Sequence, residues 1–198
     1  MGKQDIMKIY FSHGKESGPW GRKISCLADL ARKMNLEVES LDYQDLENPD
    51  LRVERLLEAL QSEPDPAEVV LVGSSMGGYV STVASLSVPV RGLFLLAPAL
   101  YMPGYQHQEY PTPCRPITVI HGWRDDVIPF EHSVRFCVEH RADLHLIDGD
   151  HRLNDNLNVV GAHFRAFLEN LSVTSPESQH CLSKQITPED TKRNASNE

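Results

Sequence analysis

Three residues of this 198-residue chain stand where covalent chemistry could be done. Ser75 is the centre of GSSMG, residues 73–77, directly after the apolar run VVLV at 69–72 and before a helical pattern. Small residues around a serine at such a junction suit a sharp strand-to-helix turn. The turn lifts the hydroxyl clear of the sheet and leaves the next amide, that of Met76, at a helix N-terminus facing developing negative charge. Asp125 lies in HGWRDDVIP, residues 121–129, just past another apolar run, and His151 lies in GDHRL, residues 149–153, past a third. Hydroxyl, imidazole and carboxylate form the set that nucleophilic acyl chemistry needs: a nucleophile, a base to take its proton, and an acid that holds the base in one tautomer. Asp126 competes with Asp125 for the last role on this reading. Asp150 reads as shaping its loop, and His13 and His121, each preceding a glycine at the end of an apolar run, as organising theirs.

Acyl chemistry at a serine also needs a second oxyanion donor beside Met76. The loop SHGKESG at residues 12–18 follows the first apolar run, and the backbone amide of Lys15, just past Gly14, is the candidate. Neither a GxGxxG nor a GxxxxGK[ST] pattern accompanies the glycines around Ser75, so the turn is not read as a nucleotide cradle.

The elements that must position these residues follow from periodicity. Apolar runs at 7–11, 36–41, 69–72, 93–96, 117–120 and 144–147 read as strands. Helical stripes separate them: Ile24, Leu27, Ala28, Ala31 and Met34; Val53, Leu56, Leu57 and Leu60 after the start signal Asn48-Pro49; the segment 76–86; and Phe130, Val134, Cys137 and Val138 after Pro129. A last stripe, Leu157, Val160, Phe164, Phe167 and Leu171, follows Asp155 as its expected cap. Single helices between Val/Ile/Leu-rich strands predict a parallel sheet covered on both faces, with its site beyond the carboxyl ends of the strands. Ser75, Asp125 and His151 each fall at such an end. Residues 97–116 are too short to form a helical lid, and Tyr101, Tyr105 and Tyr110 within them suggest an apolar rim or packing. From Ser172 to Glu198 the chain turns polar, which predicts a disordered tail behind one domain at 1–171.

Charge and composition limit the partners. A net charge of -9 with no Lys/Arg cluster argues against nucleic acid, and weakly against polyanionic substrates, although Lys15, Arg22 and Arg124 could supply a few cations. The four cysteines show no metal-ligand spacing and read as free thiols. No apolar run reaches the roughly 20 residues that a membrane span needs, and the N-terminus has no secretory pattern. A cytoplasmic location is the expectation.

The pieces SHGK, GSSMGG, HGWRDDVIP and GDHRL together resemble those of the α/β-hydrolases, over about residues 6–171. The small size and missing lid are similar to compact bacterial esterases of the YqiA and YcfP type, and HGWRDDVIP and DHRL also to abhydrolase-domain acyl-protein thioesterases. The resemblance implies a three-layer α/β/α sandwich, a minimal α/β-hydrolase fold of about six mostly parallel strands without the extra early strands of larger members. It implies Asp125 rather than Asp126 as the acid, and hydrolysis of carboxylic esters or thioesters through an acyl-enzyme on Ser75, with no metal or cofactor. The substrate would be a small-molecule ester or an acylated compound. Two other uses of the fold stay open: acyl transfer or perhydrolysis by the same three residues, and a non-catalytic receptor or scaffold.

Overall fold

The computed structural model describes residues 7–111 and 114–173. Its centre is a six-stranded parallel sheet made of β1 (Lys8–Ser12), β2 (Glu37–Leu41), β3 (Val69–Ser74), β4 (Gly92–Leu96), β5 (Ile117–Gly122) and β6 (Asp143–Ile147), in the order β2-β1-β3-β4-β5-β6. Five helices connect them: α1 (Arg22–Lys33), α2 (Pro49–Gln61), α3 (Met76–Ala84), α4 (Phe130–His140) and α5 (Leu157–Val173).

Strand alternation decides which helices cover which face. Ile9 and Phe11, Val70 and Val72, and Phe94 and Leu96 project to one side and meet Leu27 and Ala28 of α1 and Phe164 and Phe167 of α5. Phe94 stacks obliquely on Phe164 and Phe167, with ring centroids 5.0 and 5.5 Å apart. Burying a side chain of that size contributes about 2–3 kcal/mol. Tyr10, Leu71, Leu93, Leu95 and Val119 face the other side, against Leu56 of α2, Tyr79 of α3 and Phe136 of α4. The result is three layers, the minimal α/β/α sandwich.

Local chemistry sets the helix ends. The Asn48 Oδ1 accepts from the Asp50 amide at 2.8 Å with Pro49 at the first helical position, so α2 starts where its sequence says it should. At α5 the expectation shifts. Asp155 lies inside a 3₁₀ turn, Asn154–Asn156, and the α-helix begins after it at Leu157. Val138 also departs from its expected face, being 75% exposed, because α4 instead buries Ser133, Phe136 and Cys137. The helix thereby turns Ser133 toward His121 of β5. The described part of 97–116 forms no helix. Tyr101 and Tyr110 are core residues there, and only Tyr105 lines the cavity over Ser75. α5 includes Ser172 and Val173, and the rest of the polar tail lies outside the described residues.

The strand order places the functional loops. The chain goes outward from β1 to β2, then crosses back so that β3 lies on the other side of β1. The loops after β1 and β3 diverge at this switch point and leave a crevice at the carboxyl end of the sheet.

Candidate active site

The turn after β3 is built by close approach. A Cβ on Gly73 would lie 2.3 Å from the Gly77 carbonyl oxygen, and one on Gly77 would lie 1.9 Å from that of Ser12. No side chain fits at either position, so α3 packs directly onto the β1 and β3 backbones. Ser75 between them takes φ 56°, ψ -121°, a conformation that costs a non-glycine residue about 1–3 kcal/mol. Its backbone is held from several directions: its amide donates to Leu96 O at 3.0 Å, and its carbonyl accepts from Gly78 and Ala99 at 2.9 Å. Ser75 occupies the N-cap position of α3, yet its hydroxyl makes no capping bond. The hydroxyl donates instead to His151 Nε2 at 3.0 Å.

His151 Nδ1 donates to Asp125 Oδ2 at 2.7 Å. Asp125 is fully buried at its side chain and its two oxygens share four donors. Oδ1 accepts from the amides of Val127 and Ile128 at 2.9 and 2.8 Å, and Oδ2 accepts from His151 and from His121 Nε2, the latter at 2.9 Å. Burial by itself would raise this carboxyl; the bonds from His121, His151 and the two amides outweigh it and hold the group well below the usual carboxylate range. His121 Nε2 also donates to Ile128 O at 3.1 Å, which fixes its proton on Nε2, and its Nδ1 accepts from Ser133 Oγ at 2.7 Å. Asp126 is exposed at the cavity wall. Asp150 accepts the Leu153 amide at 2.8 Å and shapes the turn that carries His151.

The loop after β1 runs beside the serine: a Cβ on Gly14 would lie 3.3 Å from Ser75 Cβ. A buried polar network holds it. His13 Nδ1 donates to Gly14 O at 2.7 Å and its Nε2 accepts from the Tyr43 amide at 3.0 Å. Beneath it the guanidinium of Arg52, 2% exposed, donates from Nε to Leu46 O at 2.7 Å and directs Nη1 to the carbonyls of His13 and Gly14 at 3.4 Å. Burial lowers both His13 and Arg52 from their ordinary values. Sequence periodicity gave Arg52 no role, because it adjoins the apolar stripe of α2 without belonging to it.

A cavity of about 700 Å³ opens over these loops, within the range of small-molecule sites. Ser75, His151, Met76 and Lys15 line it, together with Tyr105 from the 97–116 segment and Lys23 from α1. Tyr105 is held edge-on to Tyr79 of α3, with centroids 4.7 Å apart. The Tyr79 hydroxyl ties the segment down, accepting from the His107 amide at 3.2 Å while donating to Asp50 Oδ1 at 2.6 Å. Arg124, a sequence candidate for the cavity mouth, pairs with Asp148 at 2.7 Å instead. The structure thus brings Ser75, Asp125 and His151 into one hydrogen-bonded chain and sets the Lys15 and Met76 segments beside it. Lys23 and the supports from His121 and Arg52 were not visible as such in the sequence. Among the described residues no helix is long and apolar enough to cross a membrane.

A parallel sheet of this order, a strained serine at its switch point, and an aspartate and a histidine past β5 and β6 define a class. The family model described as the alpha/beta hydrolase family matches residues 10–178, and the chain belongs to that family. Among solved structures, a protein of the alpha/beta superfamily of hydrolases from Xanthomonas campestris pv. campestris is 31% identical. That match covers 82% of this chain and 98% of the other, with a TM-score of 0.73. Est1E from Butyrivibrio proteoclasticus shares the fold at 15% identity and TM-score 0.69, over 85% and 89% of the two chains. Mouse alpha/beta hydrolase domain-containing protein 10 does so at 18% identity and TM-score 0.64, over 86% and 92%. Among curated proteins none matches the chain significantly in sequence.

Proposed function

We propose that this protein is a serine hydrolase that cleaves carboxylic esters or thioesters through an acyl-enzyme on Ser75. The observation that carries the reading is the continuous chain Ser75 Oγ–His151–Asp125, at 3.0 and 2.7 Å. His151 Nε2 removes the Ser75 proton as Oγ attacks the acyl carbon. The imidazolium then returns that proton to the departing alcohol or thiol, and Asp125 stabilises its charge from the Nδ1 side. Water follows the same path in reverse and releases the acid.

The oxyanion falls to the amides of Met76 and Lys15. Met76 is the first residue of α3, where the helix dipole favours negative charge. The case for Lys15 rests on peptide planarity. Gly14 O faces inward to His13 and Arg52, and a trans peptide carries its N–H on the opposite side from its C=O, so the Lys15 amide faces away from those partners. The family relation to an esterase-bearing fold supports ester chemistry, and the cavity volume suits a small acyl group.

The test is labelling with a fluorophosphonate, which reacts with activated serines, alongside hydrolysis of 4-nitrophenyl acetate and butyrate. Wild type is expected to label at Ser75 and to turn over one or both esters, and Ser75→Ala and His151→Ala to abolish both signals. Undiminished hydrolysis by Ser75→Ala, or a folded wild type that neither labels nor hydrolyses, overturns the reading.

A further inference from the structure

Four of the chain's cations gather at the cavity over Ser75. Against a net charge of -9 for the whole chain, its wall carries Lys15, Arg22, Lys23 and Arg152 and three carboxylates, Glu16, Asp126 and Asp150. The buried carboxylate of Asp125, behind His151, brings the two signs to balance. The cations are not equivalent. Lys15, Arg22 and Arg152 are exposed, and Arg152 stands 3.9 Å from Glu16. Lys23 is half-buried in the first turn of α1 and, among the described residues, makes no hydrogen bond or ion pair from its ammonium.

Its position opposes the dipole of the helix that carries it. α1 begins at Gly21 without a side-chain cap, has no acidic residue in its first turn, and sets Arg22 and Lys23 there instead. Cations at a helix N-terminus oppose the macrodipole, and the place normally holds a carboxylate. Residues Gly21, Arg22, Lys23 and Ile24 all line the cavity, so the start of α1 borders the same space as Ser75 and His151. Desolvation pushes the Lys23 ammonium down to about 8, although the carboxylates of Asp125 and Asp150 pull the other way. A cation that has lost water and makes no hydrogen bond gains from an anion brought by a ligand.

We propose that the Lys23 wall of the cavity is a subsite for one carboxylate on the substrate, so that the preferred substrates are esters or thioesters carrying a carboxylate a few bonds from the scissile carbonyl. One half-buried ammonium matches one carboxylate. The Lys23 ammonium and the α1 amides bind the carboxylate while Ser75 faces the carbonyl. This subsite rests on the serine hydrolase reading for its chemistry but not for its binding.

The experiment compares kcat/KM for three probes. 4-Nitrophenyl butyrate is the neutral reference. 4-Nitrophenyl hemisuccinate puts a carboxylate on the same four-carbon acyl chain, and 3-carboxy-4-nitrophenyl butyrate puts it on the leaving group. Wild type is expected to favour at least one charged probe about tenfold over the neutral one. Lys23→Met should collapse that ratio about tenfold, and Lys23→Arg should restore most of it. Equal kcat/KM for charged and neutral probes in wild type, or a ratio unchanged in Lys23→Met, overturns the subsite. A separate arm keeps the two ideas apart: calorimetric binding of 4-nitrophenyl hemisuccinate to Ser75→Ala and to Ser75→Ala/Lys23→Met. Binding about tenfold weaker in the double variant supports the subsite even if no probe is turned over by wild type, which would sink the hydrolase reading alone. No binding, or equal binding, overturns the subsite.

Discussion

Asp125 accepts four hydrogen bonds, two from backbone amides and one each from His121 and His151. A carboxylate so occupied keeps its charge and its direction, as the proposed role behind His151 requires. Asp125→Asn should therefore leave the protein folded and lower kcat by about 10³–10⁴, because an amide offers the wrong pattern of donors to His151. Asp126→Asn, at the exposed neighbour, should change kcat by less than about threefold. His121→Ala removes one donor from the charged oxygen. A hydrogen bond to a charged group is worth about 1.5–3 kcal/mol, so kcat should fall about tenfold to a hundredfold. Steady-state kinetics on one ester orders the three variants, and an Asp126 effect equal to that of Asp125 would reverse the assignment.

At the scale of elements, the junctions are what the sequence spends its small residues on. α3 can leave β3 so sharply only because Gly73 and Gly77 present no Cβ where backbone atoms lie 2.3 and 1.9 Å from its place. Gly77→Ala forces a shift of backbone rather than of a flexible side chain. It should cost at least about 3 kcal/mol, read as a lower urea midpoint, and should displace Ser75 as well. Arg52 does the corresponding work between α2 and the β1 loop. Arg52→Met keeps the volume but strands the carbonyls of Leu46 and His13 without their buried donor, and leaves Gly14 O to His13 Nδ1 alone. A loss of about 2–3 kcal/mol in urea unfolding is expected.

For the whole molecule, burial of histidines links stability to pH. Burial lowers His13, His140 and His145 from their ordinary value, so the folded protein keeps them neutral where the unfolded chain accepts protons. Their contribution to stability is present above about pH 6.5 and is lost as pH falls through the lower folded values. Asp125 and Glu63, both depressed in the fold, add a second loss below about pH 4. Tm should drop by a few degrees, on the order of 3 °C, between pH 7.5 and 5.5, and fall further below pH 4. A Tm flat from pH 7.5 to 5 would show that these histidines are not held neutral by the fold.

The strands, the layer order and the places where the candidate site residues emerge were legible in the sequence. Apolar runs bounded by glycine and proline have a local signature, and residues just past parallel strands must share one sheet edge. Thus Ser75, Asp125 and His151 could be named before any coordinate. Tertiary structure decided what depends on several segments converging. Arg52 reads as the polar flank of a helix and is buried, because carbonyls from the loops after β1 and β2 meet over it. Lys23 reads as a surface lysine beside Ile24, and becomes a wall of the cavity because α1 starts at the switch point. Tyr101 and Tyr110 lie within ten residues of Tyr105, yet only Tyr105 reaches the cavity. Periodicity reports which face of an element is apolar. It carries no record of which other element closes over that face, and the charge and shape of the cavity are set by that closure.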